Sequence, residues 1–236
     1  MSTLYLIRHG QASFGKENYD RLSQKGVQQM KILGEHLVAT ACRIHAVYSG
    51  PLERQKSSAY EVIRRCRELR WQIPEAVVFP DLSEYDYEAV LFSQLPDMIA
   101  GDPSIEKKIK NIYTDGGAFQ CVFEGAIMRW VSGKFDKPGV DTWEAFSSKV
   151  HQALSDISSR YEDRGAILVF TSGGVITASL QVALKLTGQQ ATEVGWQLVN
   201  ASVTRFTCRE KRLALSGFND IAHLELTQNR SLITYR

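Results

Sequence analysis

The sequence contains few cysteines and no closely spaced pair of them. Its 236 residues include only four, which lie far apart: Cys42, Cys66, Cys121 and Cys208. Because a zinc ribbon needs Cys-x-x-Cys pairs, this class of metal site is excluded. We interpret the four residues as free thiols in a reducing compartment.

Long apolar runs and an excess of one charge are also missing. Nowhere do about 18 apolar residues follow one another, so no membrane-spanning helix is expected. Residues 1–8 lack a basic stretch, and their apolar run is too short for a signal peptide. With 28 Lys and Arg against 26 Asp and Glu, the net charge of +2 excludes a strongly basic nucleic-acid-binding protein. We therefore expect a cytoplasmic protein that binds neither membranes nor nucleic acid.

Short apolar segments predict the strands of a mostly parallel sheet. Residues 4–7 and 166–170 show no polar alternation, which is typical of strands covered on both faces, and we place them at the sheet centre. Two shorter runs, 46–48 and 77–79, are bounded by Gly or Pro and predict further strands. Near the C-terminus, residues 202–208 and 212–218 predict an antiparallel hairpin.

Apolar residues recur at helical spacing between these strands. One stripe follows the N-cap candidate Ser23, and a second follows Pro51, which we place at the first helical position. A third begins at Phe146, and residues 175–186 are apolar on almost every side, which indicates a buried helix. The order predicts an α/β three-layer sandwich, with a mostly parallel mixed sheet and helices on both faces. We expect residues 1–236 to form a single domain.

The stretch from about residue 86 to residue 140 lacks this regular order. It contains four turn-forming sequences, at Pro96, Asp102-Pro103, Asp115-Gly116-Gly117 and Lys137-Pro138-Gly139. These predict short helical pieces, centred near Phe92, Ile105, Phe119 and Trp130. We interpret the stretch as a helical insertion over the C-terminal ends of the strands.

Charged and polar residues follow the predicted parallel strands, where ligands of α/β proteins bind. Arg8 and His9 follow the first strand, Arg54 lies in the first turn of the helix after the second, and Glu84 comes soon after the third. After the fourth, residues 171–174 lead into a helix whose first N–H groups form an anion site. Guanidinium groups bind phosphate oxygens in pairs, imidazole is a nucleophile, and a carboxyl group can transfer a proton. The set therefore indicates a phosphate site.

Each of these residues alone has a simpler interpretation. An Arg-His pair at a strand end is more often structural, and Arg54 and Glu84 are more often solvated surface charges. Residues 171–174 lack the spacing and the following lysine of a P-loop. Only their joint position at the strand ends favours a functional site.

The same residues lie in motifs that resemble those of the histidine phosphatase superfamily, the phosphoglycerate mutase-like proteins. Residues 6–11, Leu-Ile-Arg-His-Gly-Gln, are similar to the signature of that family. Residues 49–59, 82–84 and 219–224 resemble its second block, its acid position and its C-terminal block. The resemblance spans nearly the whole chain.

The resemblance implies a two-step phosphoryl transfer without a metal or another cofactor. Neutral His9 would attack phosphorus in line, while Arg8 and Arg54 bind the oxygens on which charge develops. Glu84 would give a proton to the leaving alcohol, then take one from the water that hydrolyses the phosphohistidine. Asn18 is a further candidate phosphate ligand, although it lies farther along the chain than the asparagine of the family.

One position departs from the pattern of the family. Alignment of residues 167–176 with its strand-Ser-His-Gly-Gly block places Ser172 where the second catalytic histidine belongs. Ser172 and Gly173 remain candidate phosphate-binding residues, but a hydroxyl supplies no positive charge. Loss of one such donor costs on the order of 10² to 10³ in rate. We therefore expect weak or absent phosphatase activity.

Two hypotheses follow from this departure. The first is a phosphomonoesterase that acts on a small phosphorylated metabolite, through a phosphohistidine on His9. The second is a non-catalytic or weakly active member that binds a phosphorylated ligand or a protein partner, because Ser172 replaces the second histidine. A mutase is disfavoured, since return of phosphate to a substrate would also rely on that histidine. The sequence names no substrate and leaves a homo-oligomer open.

Overall fold

The strands form a single mixed sheet in the computed structural model, which describes residues 2–13, 20–110, 116–161, 165–209 and 212–235. The strands are β1 (Ser2–Arg8), β2 (Ile44–Ser49), β3 (Ala76–Val78), β4 (Ala166–Thr171), β5 (Val203–Arg209) and β6 (Arg212–Asp220). Their order across the sheet is β3-β2-β4-β1-β5-β6. The first four strands are parallel, and β5 and β6 form an antiparallel pair. The predicted central position of β1 and β4 is confirmed, as is the C-terminal hairpin.

Helices connect the strands and pack on both faces of the sheet. They are α1 (Gln24–Ala39), α2 (Glu53–Glu68), α3 (Tyr87–Gly101), α4 (Ser104–Lys110), α5 (Gly116–Val131), α6 (Trp143–Ser159), α7 (Gly173–Leu184), α8 (Gly188–Gly195) and α9 (Ala222–Glu225). Short 3₁₀ turns span Pro80–Leu82 and Arg230–Leu232. None of the helices within the described ranges is long and apolar enough to cross a membrane.

The helix starts follow from their caps. Ser23 caps α1 as predicted, because its Oγ accepts a hydrogen bond from the N–H of Gly26 at 3.1 Å. The prediction for Pro51 is wrong, since α2 begins two residues later, at Glu53, after an extended Leu52. Leucine has no acceptor with which to cap a helix, and the carboxylate of Asp20 takes over this role.

Side chains alternate along the central strands between two hydrophobic cores. Leu6 and Val169 face the core formed with α6 and α7, whereas Ile7 and Phe170 face the core formed with α1 and α2. All four side chains are fully buried. This alternation produces the predicted three-layer sandwich.

The stretch from 86 to 140 is helical as predicted, but its helices are longer than the expected pieces. Pro96 lies inside α3 and does not end it. Proline has no N–H, so Pro96 donates no hydrogen bond to the carbonyl of Phe92. Phe92 is 62% exposed, so water can approach this part of the helix. Gly116 begins α5 instead of breaking a helix, and α5 continues to Val131.

Candidate active site

His9 lies just after β1 with its ring almost fully buried, and its backbone N–H donates to the carbonyl of Thr171. The ring Nδ1 is 2.8 Å from the carbonyl oxygen of Gly10 and must donate, because a carbonyl only accepts. Nε2 therefore carries the lone pair. Burial, followed by the charges of Arg54 and Arg8, holds the pKa of His9 well below its usual range. The ring is thus a neutral nucleophile with its reactive nitrogen at Nε2.

Arg54 approaches this nitrogen from the first turn of α2. Its Nε lies 3.2 Å from His9 Nε2 and donates to it. Its Nη1 donates to Asp20 Oδ1 at 2.7 Å, and the guanidinium is nearly buried. The same carboxylate accepts from the backbone N–H of Glu53 at 2.7 Å. Asp20 therefore fixes both the start of α2 and the direction of the Arg54 side chain.

Arg8 is tied to distant parts of the chain. Its Nη1 donates to the carbonyl of Leu198, and its Nη2 donates to the carbonyl of Tyr235 at 2.8 Å. Its Nε lies 4.0 Å from the position that a Cβ added to Gly173 would occupy. The Arg8 charge lowers the pKa of both His9 and Glu84.

Glu84 meets the start of α7. Its Oε2 accepts from the N–H of Gly174 at 3.0 Å, and its Oε1 accepts from the N–H of Tyr85 at 3.2 Å. Burial raises the pKa of Glu84 despite these hydrogen bonds and the nearby charges of Arg54 and Arg8. A raised pKa keeps more of the carboxyl group protonated, which suits a proton donor.

The loop that carries Glu84 is held firmly on both sides. Leu82 is fully buried, and its carbonyl accepts from Thr171 Oγ1 at 2.9 Å. The ring of Tyr85 packs against Trp130, with the two centroids 4.7 Å apart. Gly174 permits the close approach of Glu84, because a Cβ there would overlap Glu84 Oε1 and lie 2.7 Å from the ring of Tyr85.

Ser172 lies between β4 and α7, at the N-cap position, and is fully buried. Its hydroxyl does not cap α7. Instead, Ser172 Oγ accepts a hydrogen bond from Gln55 Nε2 at 2.8 Å. Gln55 directly follows Arg54 in α2 and is also fully buried.

A cavity of about 390 Å³ adjoins Glu84 on the side of the insertion. Residues of the loop after β3, of α3, of α5 and of α6 line it, and they include Tyr85 and Trp130. Besides Glu84 itself, three of the lining residues, Asp81, Asp86 and Asp141, carry carboxylates, and one, Lys149, carries an amine. The helices from the stretch 86–140 thus form part of the wall beside the predicted proton donor.

The structure therefore brings His9, Arg54, Arg8 and Glu84 into one site, with Ser172 and Gly173 at its α7 side. Asn18 lies outside the described residues. Sequence reasoning missed Asp20 and Gln55, which reach the site from a loop and from inside a helix. The absence of a capping side chain at Leu52 was the one signal that another part of the chain must cap α2.

The chain matches a known family over most of its length. The sequence profile described as Histidine phosphatase superfamily (branch 1) matches residues 4–102 and 123–221. The chain belongs to the histidine phosphatase superfamily. The resemblance inferred from residues 6–11 is thereby confirmed at the level of the family, whereas the roles of the individual site residues in this member stay predictions.

Solved structures share the histidine phosphatase fold with this chain. Phosphoserine phosphatase from Entamoeba histolytica, in complex with 3-phosphoglyceric acid, is 22% identical with a TM-score of 0.63, and the match covers 95% of this chain and 100% of that one. Phosphoglycerate mutase from Bacillus anthracis is 17% identical with a TM-score of 0.64, and 97% of each chain is covered. Mycobacterial glucosyl-3-phosphoglycerate phosphatase with inorganic phosphate is 19% identical with a TM-score of 0.63, covering 94% of this chain and 98% of that one. At these identities the similarity shows the fold. No curated protein sequence matches this chain.

Proposed function

We propose that this member of the histidine phosphatase superfamily is a phosphomonoesterase that acts on a small phosphorylated metabolite. The observation that carries the proposal is the buried, neutral ring of His9, whose Nε2 lone pair faces the guanidinium of Arg54 at 3.2 Å. A nucleophile beside a fixed cation suits attack on a phosphoryl group, because the cation binds the oxygens on which charge develops.

In the first step, a phosphate ester displaces the hydrogen bond between Arg54 and His9. The guanidinium binds the phosphate oxygens, which are stronger acceptors than the imidazole, and this frees the lone pair of Nε2. The bond from Nε2 to phosphorus forms while the bond from phosphorus to the ester oxygen breaks. Glu84 gives its proton to the leaving alcohol, and the Arg8 charge stabilises the anionic phosphoryl group.

In the second step, water attacks the phosphorus of the phosphohistidine. The Glu84 carboxylate takes a proton from this water, so that Glu84 returns to its protonated form. The bond between Nε2 and phosphorus breaks, inorganic phosphate leaves, and His9 is again neutral. The contact between Glu84 and the N–H of Gly174 keeps the carboxyl group in place through both steps.

The cavity beside Glu84 supports a preference among leaving groups. Carboxylates of Asp81, Asp86 and Asp141 line it, and Lys149 Nζ is itself 3.4 Å from Asp141 Oδ2. This charge repels a second phosphate on the substrate. We expect monoesters with a neutral or cationic alcohol to be better substrates than bisphosphates.

Ser172 favours a second candidate function. The sequence alignment places Ser172 at the position of the second histidine, and this serine is buried and already bonded to Gln55. A member without this imidazole could bind a phosphorylated ligand or protein partner with little or no turnover. A mutase is the least supported reading for the same reason.

A panel of phosphate esters distinguishes these functions. Purified wild-type protein and His9→Ala are assayed for phosphate release, and binding of inorganic phosphate is measured by calorimetry. Turnover above the His9→Ala rate, greatest for monoesters without a second phosphate, is expected. Phosphate binding with no turnover above that rate would instead establish the binding protein.

A further inference from the structure

We propose that Gln55 is a positioning residue that turns the hydroxyl proton of Ser172 toward the bound phosphoryl group. The pair would then supply, as one neutral donor, part of what the missing imidazole supplies. The proposal rests on the proposed phosphoryl site. Gln55 lies within residues 49–59, which resemble the second block of the family, but it was not among the candidate site residues predicted from the sequence.

The orientation of the Gln55 amide is fixed by two backbone groups. Its Oε1 accepts from the N–H of Leu52 at 3.1 Å, and its Nε2 donates to the carbonyl of Leu82 at 3.2 Å. A flipped amide would place like groups against each other at both contacts. The second hydrogen of Nε2 is therefore the one that points at Ser172 Oγ, at 2.8 Å.

This contact settles the role of the Ser172 hydroxyl. Because Oγ accepts from Gln55, its single proton must point elsewhere. Among the residues that the structure describes, no acceptor for that proton is found, although Ser172 is fully buried. A buried donor without a partner is costly, so an acceptor supplied by a ligand would be favourable.

The position of Ser172 makes a phosphoryl oxygen the natural acceptor. Its neighbours in the chain are Thr171, whose carbonyl binds the N–H of His9 at 2.9 Å, and Gly173, which faces Arg8. One residue further, Gly174 binds Glu84. Residue 172 thus stands in a segment whose neighbouring residues contact the groups assigned as the nucleophile, the cation and the acid.

Packing also confines the Gln55 side chain. Its Oε1 occupies space beside Gly50, where an added Cβ would overlap it and come 2.5 Å from the carbonyl of Leu82. Gln55 and Ser172 are both fully buried, so the contact between them is shielded from water.

A double-mutant cycle tests the proposal. Ser172→Ala, Gln55→Met and the double variant are compared with wild type for kcat and KM on the best ester, and for the Kd of orthovanadate. Each single variant should lower kcat and vanadate affinity about tenfold or more, the effect of losing one hydrogen bond to a charged acceptor. The double variant should be no worse than the poorer single one, because Gln55 acts through Ser172. Effects that multiply would overturn the proposal.

Two further variants separate positioning from a loss of stability. Gln94→Met removes another buried glutamine, whose amide donates to the carbonyl of Phe135 and not to Ser172, and it should leave vanadate affinity unchanged. In Gln55→Glu, a carboxylate would accept the Ser172 proton and turn the donor away, so vanadate affinity relative to wild type should fall as pH rises. An unchanged ratio at every pH would contradict the proposal. If wild-type turnover equals that of His9→Ala, the phosphatase function fails, and the vanadate affinities alone decide the role of Gln55.

Discussion

His9 and Glu84 have pKa values displaced in opposite directions, and burial is the largest cause of both displacements. The lowered pKa keeps His9 neutral at pH values where an ordinary histidine, with a pKa of about 6.5, is charged. The raised pKa keeps Glu84 protonated to a higher pH than usual. We therefore expect kcat/KM to rise through the lowered pKa of His9 and to fall through the raised pKa of Glu84. A profile that rises only near pH 6.5 would contradict this assignment.

Glu84 is expected to matter most for esters with a poor leaving group. Glu84→Gln keeps the size of the side chain but removes the proton donor, so alkyl phosphates should slow by roughly 10² or more. Activated aryl phosphates, whose leaving oxygen needs little protonation, should lose much less kcat/KM, which reports formation of the phosphohistidine. Values of kcat/KM on the two ester classes provide the test, and equal losses of kcat/KM on both would indicate a structural role.

Asp20 is expected to support both the helix and the cation. Asp20→Asn removes the charge that caps α2 and binds Arg54. Removing a negative charge at a helix N-terminus should cost about 1 kcal/mol in the free energy of unfolding, measured in urea, and should weaken the Kd for inorganic phosphate. Asp136→Asn, at an exposed position, has the same charge change and should leave both values unchanged. Unaltered phosphate binding in Asp20→Asn would show that Arg54 does not need this partner.

Residues at strand ends were predictable from the sequence, whereas their supporting residues were not. Arg8, His9 and Glu84 follow apolar segments that any parallel sheet would bring to one edge. Asp20 and Gln55 carry no such pattern. Their roles depend on contacts with elements distant in the chain, such as the bond from Gln55 to Ser172, 117 positions away.

The junction of β4 and α7 depends on a residue without a side chain. Gly174→Ala would push a Cβ against Glu84 and the ring of Tyr85, both of which are held by further contacts. We expect selective loss of activity on alkyl phosphates, as for Glu84→Gln, together with a lower Tm. Gly101→Ala, where a Cβ would meet nothing within 4 Å, is the matched control. Equal activity of both variants would show that Glu84 is not positioned by this contact.

Elements with strong periodicity were predicted well, and those with local breakers were not. The apolar patterns predicted the four parallel strands, the helix after Ser23 and the helix that contains Phe146. α3 and α5 were predicted too short, because Pro96 and Gly116 were interpreted as helix breakers, whereas Pro96 lies inside α3 and Gly116 begins α5. α8 was missed, although Thr187 and Gln190 form a capping box at its start.

The protein as a whole is predicted to release phosphate without a metal ion. No group of three or more His, Cys, Asp or Glu in the described part of the chain could hold a metal ion. We expect a chelator to leave phosphate release unchanged. Activity lost with the chelator and restored by a divalent ion would contradict the mechanism. The single domain and the cytoplasmic location stay predictions from sequence.

Detection of phosphate on His9 is the most direct test of a reaction that passes through a phosphohistidine. Wild-type protein is mixed briefly with a phosphate ester, quenched in base and analysed by intact mass and peptide mapping. The account predicts one added phosphate on His9, stable in base, labile in acid and absent in His9→Ala. Glu84→Gln should increase the trapped fraction with an aryl phosphate, because hydrolysis of the intermediate loses its base. Turnover without any label, or label on another residue, would contradict the account.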